Sequence, residues 1–531
     1  MLKLNISKLA AGAAALLAVA AAGCTDKWDD HYSPAREGAS ESTVYELIKS
    51  EPELSTFAQM IDIAGYADLL NTSQTFTVWA PDNASLADVD LDDTDEVKRI
   101  VANHICRFNV STASPAEKGV KMYNGKMLYF AGNTFGGITM TRSDILARNG
   151  ILHTLSGRLP YSYNIREYID THESTSKLAA FLKRFDEERF DETLSAPIDI
   201  DENGATVYDS VKVSYNRIFQ HPVYGLGDIQ CEDSLFTMIV PDNAAWDAAY
   251  AQISPLFRNA ETDSEKSDSI TDVQTSLTII ENLIFRSRIT DPLAAPTNLT
   301  TSGSKIADMG SFFSGASSMV ASNGMIYNTS LINYDPLSTF NKPIEVECEE
   351  PSGRVKAANT NIYARTVATD HELASDISEG SFIEVSPTTA SAQPGVTFDM
   401  PGTLAGKYDI YATFVPASAL DATVTGDCTR VMFILSYQGA DGRTLSKTFN
   451  AKEFLTDPTQ VTTIKVAEGV ELDVANYTDR LWLMDDANDP STVASTTRLA
   501  VRTNVTNKEF KDLVYTRHFY IDRVVLVSSQ Q

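Results

Sequence analysis

The seven histidines are the first residues to ask about chemistry, and no two of them have the spacing of a metal-binding pair such as HExxH. No G-x-S-x-G elbow, P-loop or dinucleotide fingerprint appears either. His104 lies in "EVKRIVANHICR", where Val97, Ile100, Val101 and Ile105 recur at helical spacing. It therefore reads as a core histidine on an apolar helix face. His153 lies in "NGILHTL", a short apolar stretch behind a tight-turn signal. The cysteines Cys106, Cys231, Cys348 and Cys428 could pair in three ways. Small and apolar enough for a core, they read instead as free, buried thiols. Two distant carboxylates could meet as a glycosidase pair, but nothing in the chain requires one. No enzyme is expected.

The elements around these residues are spelled twice. "TFTVWAPDNASL" (Thr75–Leu86) returns as "LFTMIVPDNAAW" (Leu235–Trp246). "VANHICR" (Val101–Arg107) returns as "IENLIFR" (Ile280–Arg286), and "NGILHTL" (Asn149–Leu155) as "NGMIYNT" (Asn323–Thr329). β-Branched and aromatic residues make the first box a buried strand. Pro81 and Pro241 stop it, since proline cannot donate to a ladder. Asp82 or Asn83 then offers an oxygen to the next helix. Each NG pair marks a tight turn into a short strand. The second copy is longer by "SPLFRNAETDSEKSDSITD" (254–272), a polar stretch expected to be a surface insertion.

The ordered set of boxes resembles the fasciclin domain. The resemblance covers 42–162 and 163–335 and implies two α+β domains. It carries the family's motif positions onto Pro81, Asn83, His104, Asn149, Gly150 and His153, and onto Pro241, Asn243, Asn323 and Gly324. Asn103 stands where the family often has tyrosine, and Leu283 and Tyr327 stand where the first copy has its histidines. The Tyr-His pair linked to receptor adhesion in animal members is therefore incomplete.

From about Lys342 the pattern changes to short alternating stretches: "PIEVECE", "GVTFDM", "KYDIYATFV", "RVMFILSYQ", "TLSKTFNA", "VTTIKVAE", "LWLMDD", "RLAVRTNVT" and "HFYIDRVVLV". They predict a β-sandwich over 340–531. The opening "IEVE" and the closing "IDRVVLV" resemble the ends of jelly-roll carbohydrate-binding modules. That resemblance implies first and last strands side by side, sharing a structural calcium through Glu345, Glu347 and Asp522. Oxygen ligands suit such a hard cation. Alternation puts Asp522 on one face with Tyr520, Val524 and Leu526, where a bare carboxylate is costly. Trp482 reads as buried, which leaves Tyr363, Tyr437 and Tyr477 as candidate glycan contacts.

The N-terminus fixes an expected address. Lys3 and Lys8 precede an apolar run, Leu9–Ala22, that is shorter than the ~20 residues of a spanning helix. It ends in Ala21-Ala22-Gly23-Cys24, similar to a bacterial lipobox, which implies a signal peptide over 1–23 and lipid on Cys24. Several acyl chains on one cysteine would hold firmly. Residues 24–41 read as an acidic tether; Asp26, Asp29 and Asp30 look like the export signal of surface lipoproteins in Bacteroidota. With a net charge of −28 the chain should not bind nucleic acid. The expectation is thus a multidomain surface lipoprotein: two fasciclin-like α+β domains followed by an all-β, jelly-roll-like sandwich. It faces outward from the outer membrane, carries no cofactor beyond that calcium, and binds proteins or glycans through the fasciclin-like domains as an adhesion scaffold. The alternative is an accessory glycan-binding lipoprotein of a TonB-dependent uptake transporter.

Overall fold

The structure is a computed structural model and describes residues 40–113, 119–191, 195–200, 206–209, 211–421, 423, 428–476, 483 and 496–529. It forms two compact units. Of the described residues, one holds those up to Glu167 with Gln230–Ser234 and Val320–Asn323; the other holds Tyr168–Ile229, Leu235–Met319 and those from Gly324 on.

In the first unit, Thr43 opens α1 (Val44–Ser50) with a reciprocal capping box to Glu46. Helix α2 (Ser55–Ala64) ends on Gly65 at φ +76°, a left-handed stop that favours glycine. Strand β1 (Phe76–Pro81) follows, then α3 (Thr94–Ala102), which Asp93 caps. Strands β2 (Ile105–Cys106), β3 (Ile138–Ala147) and β4 (Gly150–Leu155) join β1 in the order β2-β1-β4-β3, and the six-stranded sheet continues from β3 through Thr134–Phe135 and Phe130–Ala131. The β1–β4 pair is parallel. Both faces of β1 are covered, which explains its unbroken apolar run. Phe76, Val78 and Ala80 pack against the helices, and Trp79 enters a second core with Phe130, Phe135 and Leu155. Buried Lys126 bonds Glu167 at 2.6 Å and also pairs with Glu232, tying residues 230–232 to this unit.

The second unit repeats the arrangement with α4 (Ser176–Lys183), later β7 (Phe236–Pro241), α5 (Asn243–Ile253), α6 (Ser264–Glu281), β8 (Ile284–Phe285) and β9 (Gly324–Thr329). The register repeats too. Phe236 faces Gly324 and Pro241 faces Thr329 in a parallel pair, as Phe76 faces Gly150 and Pro81 faces Leu155. Thr237 pairs with Phe285 as Thr77 pairs with Cys106.

One departure from expectation lies here. Between α4 and β7 the chain extends into an antiparallel ribbon, β5 (Asp186–Phe190) with β6 (Lys212–Asn216), where the first copy passes only a short helix, Ala67–Leu70. Residues 254–272 lie at the surface as expected, apart from Phe257, but they are folded. Phe257 is buried in a 3-10 turn, and α6 begins at Ser264. The Leu256 carbonyl accepts the Ala405 N–H at 2.8 Å, and the Arg258 carbonyl accepts the Ala475 N–H at 2.7 Å. The polar composition belongs to the exposed first turns of α6; beyond them, Val273–Ile280 is wholly buried.

The C-terminal strands are β10 (Ile344–Glu347), β11 (Arg354–Lys356), β12 (Thr360–Thr366), β13 (Ser381–Pro387), β14 (Gly395–Asp399), β15 (Gly406–Val415), β16 (Val431–Gln438), β17 (Thr444–Phe449), β18 (Thr462–Leu472), β19 (Arg498–Thr503) and β20 (Phe519–Ser528). They form two antiparallel sheets, β12-β13-β20-β15-β18 with β10 also on β20, and β11-β14-β19-β16-β17. One core of Phe398, Ile410, Phe414, Phe433, Leu435, Ile521 and their neighbours lies between them. First and last strands are neighbours, as expected. Every expected stretch carries a strand except "LWLMDD", of which only Leu483 is described. Strands β11, β12 and β13 were not expected. Strand β12 is a half-exposed edge without clean alternation. Strand β13 buries both faces, because residues 367–377 cover Phe382 from outside.

Candidate functional site

The polar motif residues of both repeats satisfy backbone. Asn83 accepts the Thr56 N–H at 2.9 Å and donates to the Pro52 carbonyl at 2.9 Å. Asn243 likewise accepts the Lys177 N–H at 3.0 Å and donates to the Glu173 carbonyl at 3.0 Å. Capping falls to the aspartates: Asp82 receives the Ser85 N–H, and Asp242 receives Ala244 and Ala245. Asn149 accepts the Val44 N–H at 2.8 Å and donates to the Leu70 and Thr72 carbonyls. Asn323 accepts the Ile165 N–H at 3.1 Å and donates to the Cys231 carbonyl. Gly150 and Gly324 bring two strands together so closely that a Cβ would stand 1.9 Å from the Phe76 carbonyl oxygen and 1.7 Å from that of Phe236. Pro81 and Pro241 close their strands as expected.

Both histidines are spent in the same way. His104 Nδ1 donates to the Ile100 carbonyl at 2.8 Å, and its Nε2 accepts the Leu159 N–H at 3.0 Å. His153 Nε2 donates to the Val110 carbonyl at 3.0 Å, and its Nδ1 accepts the Asp144 N–H at 3.3 Å. A ring nitrogen that accepts from a backbone N–H has no room for a proton. Burial, the largest cause, lowers His104 to about 4 and lowers His153 as well. In the second copy Tyr327 takes over from His153: its hydroxyl donates to the Ile289 carbonyl at 3.1 Å.

The carboxylates behave differently. Strand β20 carries a bulge between its pairings with β15: Thr413 faces Arg523, but Phe414 faces Ile521, and Asp522 is skipped. The bulge shifts the phase of the strand, so Ile521 and Val524 both enter the core. The simple alternation expected for Asp522 therefore fails. Its backbone carbonyl accepts the Cys348 N–H at 2.9 Å, and its side chain, 0% exposed, meets the Ser378 N–H at 3.3 Å. The Ser378 hydroxyl donates to Glu347 at 2.8 Å, so Ser378 joins Glu347 to Asp522.

Glu345 stands apart, half exposed and 3.8 Å from Arg523. In the β10–β20 register it faces Val525, two residues beyond Glu347 and farther from the bulge. The structure offers Glu349 instead. Glu347 Oε2, Glu349 Oε2 and Asp522 Oδ1 are all buried without a hydrogen-bond partner among the described residues. Burial raises Asp522 to about 7, against the Ser378 N–H and with the charges of Glu347 and Glu349 adding to it. Glu349 is raised as well, burial again leading. Orphaned, oxygen-only donors fit a hard cation such as calcium in their chemistry. As placed they do not converge: among the described residues, no three acidic, histidine or cysteine side chains have the geometry of a metal centre.

Strain from crowded carboxylates predicts a measurable response. In chelator at pH 8, Asp522→Asn should raise the melting temperature of the full chain by several degrees, because it removes a buried charge. A calcium ion drawn in by these carboxylates would stabilise the parent chain by about 2.7 kcal/mol at about 100 times its Kd and the variant much less. Identical melts with calcium and with chelator would exclude the cation.

Of the three tyrosines, Tyr363 on β12 is 47% exposed beside the Arg365–Glu384 ion pair at 2.6 Å, with the guanidinium 5.3 Å from the ring centre. Tyr437 is no platform. It is 5% exposed in the sandwich core, in phase with Val431, Phe433 and Leu435. Tyr477, Trp482 and Cys24 lie outside the described residues.

With this geometry in hand, comparison with known proteins is informative for one segment. Residues 52–159 match the fasciclin domain. No curated protein matches the chain. Among solved structures, the FAS1 domain pair from the insect cell adhesion molecule Fasciclin I shares 15% identity, over 54% of this chain and 98% of that one, at a TM-score of 0.20. The CBM22-1 xylan-binding domain from Paenibacillus barcinonensis Xyn10C shares 10%, over 35% and 94%, at 0.22. Likenesses at these identities and scores say nothing of ligand or activity. Within the fasciclin segment the motif asparagines, glycine and histidines are structural parts. Sequence reasoning missed Glu349, one residue past Cys348, and the role of Asp522 as a bulge; neither leaves a signal in the residue pattern.

Proposed function

We propose that this chain is a non-enzymatic surface lipoprotein that holds a glycan on its C-terminal sandwich, with the two fasciclin-like repeats as scaffold. Its proposed parts are the signal peptide 1–23, tether 24–41, domains 42–162, 163–335 and 340–531, and a lipid on Cys24 that fixes it to the outer membrane. One observation carries the reading: the motif histidines of the first repeat, His104 and His153, are consumed by backbone hydrogen bonds. The half-exposed Tyr363 ring, flanked by a neutralised Arg365–Glu384 pair, remains available. An aromatic face with polar neighbours suits the apolar side of a sugar ring and its hydroxyls.

Cells displaying the chain should be retained on insoluble polysaccharide. Tyr363→Ala should cut retention about tenfold while leaving the chain in the membrane fraction, and Cys24→Ala should release the chain from membranes altogether. Equal retention of all three strains would end the glycan reading. A second reading, adhesion to a surface protein through the repeats, is favoured by the fasciclin match over 52–159. Placement beside a TonB-dependent transporter is the version of the first reading in which the held glycan is a nutrient.

A further inference from the structure

A cavity of about 230 Å³ lies where the linker Thr339–Ile344 passes Glu281 at the end of α6, the Ser302–Ser304 turn and the Gly402 turn of the sandwich. Its polar groups are of both kinds and are held in place. Lys342 Nζ donates to Ser304 Oγ at 2.7 Å and, among the described residues, makes no ion pair although the chain carries −28. Ser302 Oγ donates to Asn282 Oδ1 at 3.1 Å. Asn341 is anchored through Nδ2 to Ser528 Oγ at 2.9 Å. The walls belong to one compact unit, and the bonds from Ala405 to Leu256 and from Ala475 to Arg258 fix them. The cavity is therefore preformed, so its occupant need not spend affinity on ordering it.

Charge and size narrow the occupant. An apolar molecule would strip water from the lysine, the carboxylate and the hydroxyls without replacing their hydrogen bonds. An inorganic anion would meet Glu281, and a cation would meet Lys342. A compact neutral molecule carrying both donors and acceptors satisfies the set. We propose that this cavity binds one neutral sugar ring, with Lys342 donating to a ring hydroxyl and Glu281 accepting from another. The site is separate from Tyr363 and stands or falls apart from the proposed glycan surface.

The test is calorimetric titration of the full chain with xylose, glucose, galactose and mannose, with inorganic phosphate as a charged probe. The expected result is saturable binding of at least one sugar at one per chain. Lys342→Met and Glu281→Gln should each weaken it about tenfold, and Tyr363→Ala should leave it unchanged. Lys342 is exposed, so its variant should fold; matching melting curves confirm that, and Glu281→Gln supplies the independent check. Four sugars without saturable binding would overturn the proposal. So would binding that survives both cavity variants, binding lost in Tyr363→Ala, or phosphate binding in place of sugar.

Discussion

Gly150→Ala should unfold the first α+β domain in an otherwise intact chain. The added methyl would stand 1.9 Å from the Phe76 carbonyl oxygen and 2.9 Å from its carbon, both backbone atoms of the neighbouring parallel strand. No rotamer relieves a clash between a Cβ and a main chain, so β1 and β4 must part. The β1–β4 pairing and the helical core behind it would go with them. We expect a loss of more than about 4 kcal/mol, the range of exceptional single substitutions. Gly324→Ala should do the same to the second repeat, where the distance to the Phe236 oxygen is 1.7 Å and φ is +146°. The control is Gly125→Ala. Gly125 also has a positive φ, +86°, but nothing lies within 4 Å of its Cβ position, so only the left-handed penalty of about 1–2 kcal/mol applies. Urea unfolding of the full chain compares the three. A Gly150→Ala chain no weaker than the Gly125→Ala chain would show that the strands can part at little cost.

The second large effect is a dependence on pH confined to the first repeat. His104 has a folded value of about 4 against an ordinary 6.5. The unfolded chain therefore takes up the proton first. The contribution is fully present above pH 6.5, shrinks as pH falls, and levels off below about 4. At 1.36 kcal/mol per pH unit the total loss is about 3 kcal/mol, and His153, lowered for the same reason, acts in the same direction. The second repeat has Leu283 and Tyr327 at these places and should lack the effect. His104→Leu should flatten the profile of the first repeat. Above pH 6.5 it should cost about 1–3 kcal/mol, because the Leu159 N–H loses its acceptor, and the gap to the parent should close as pH falls. Trp79 stacks on His153 at 5.3 Å and reports this repeat when the other three tryptophans are replaced by phenylalanine. Urea midpoints that do not move between pH 7.5 and 4.5 would refute the assignment.

Much of the repeat could be read before any coordinates, because each box couples a local pattern to a backbone need. An apolar run, a proline and an Asx residue make a buried strand and its exit; NG makes the entry to the parallel partner. What could not be read was which distant backbone a side chain serves. Asn83 looked like a cap and instead holds α2. Tyr327 looked like a loss of His153 and instead performs its hydrogen bond with a different ring. The ribbon Asp186–Asn216 was missed because DEERF and KVSYN expose most of their residues and carry no apolar alternation. The carboxylate cluster was half legible. Strand adjacency pointed to Glu347 and Asp522, but a bulge has no sequence mark, and with it went the phase of Asp522 and the approach of Glu349. Tyr437 could have been placed correctly, since Val431, Phe433 and Leu435 already set an inward phase.

The hydrogen bonds from Leu256 and Arg258 to Ala405 and Ala475 bear on how such a chain can be assembled over evolutionary time. A module that moves freely between genes must carry its own partners for every buried amide. The sandwich does not: two of its N–H groups end on carbonyls of the preceding repeat. Moved alone into another gene, it would arrive with those donors unmet at the seam. The second repeat and the sandwich are thus expected to travel as a pair, with residues 254–258 as the part of one that is cut to fit the other.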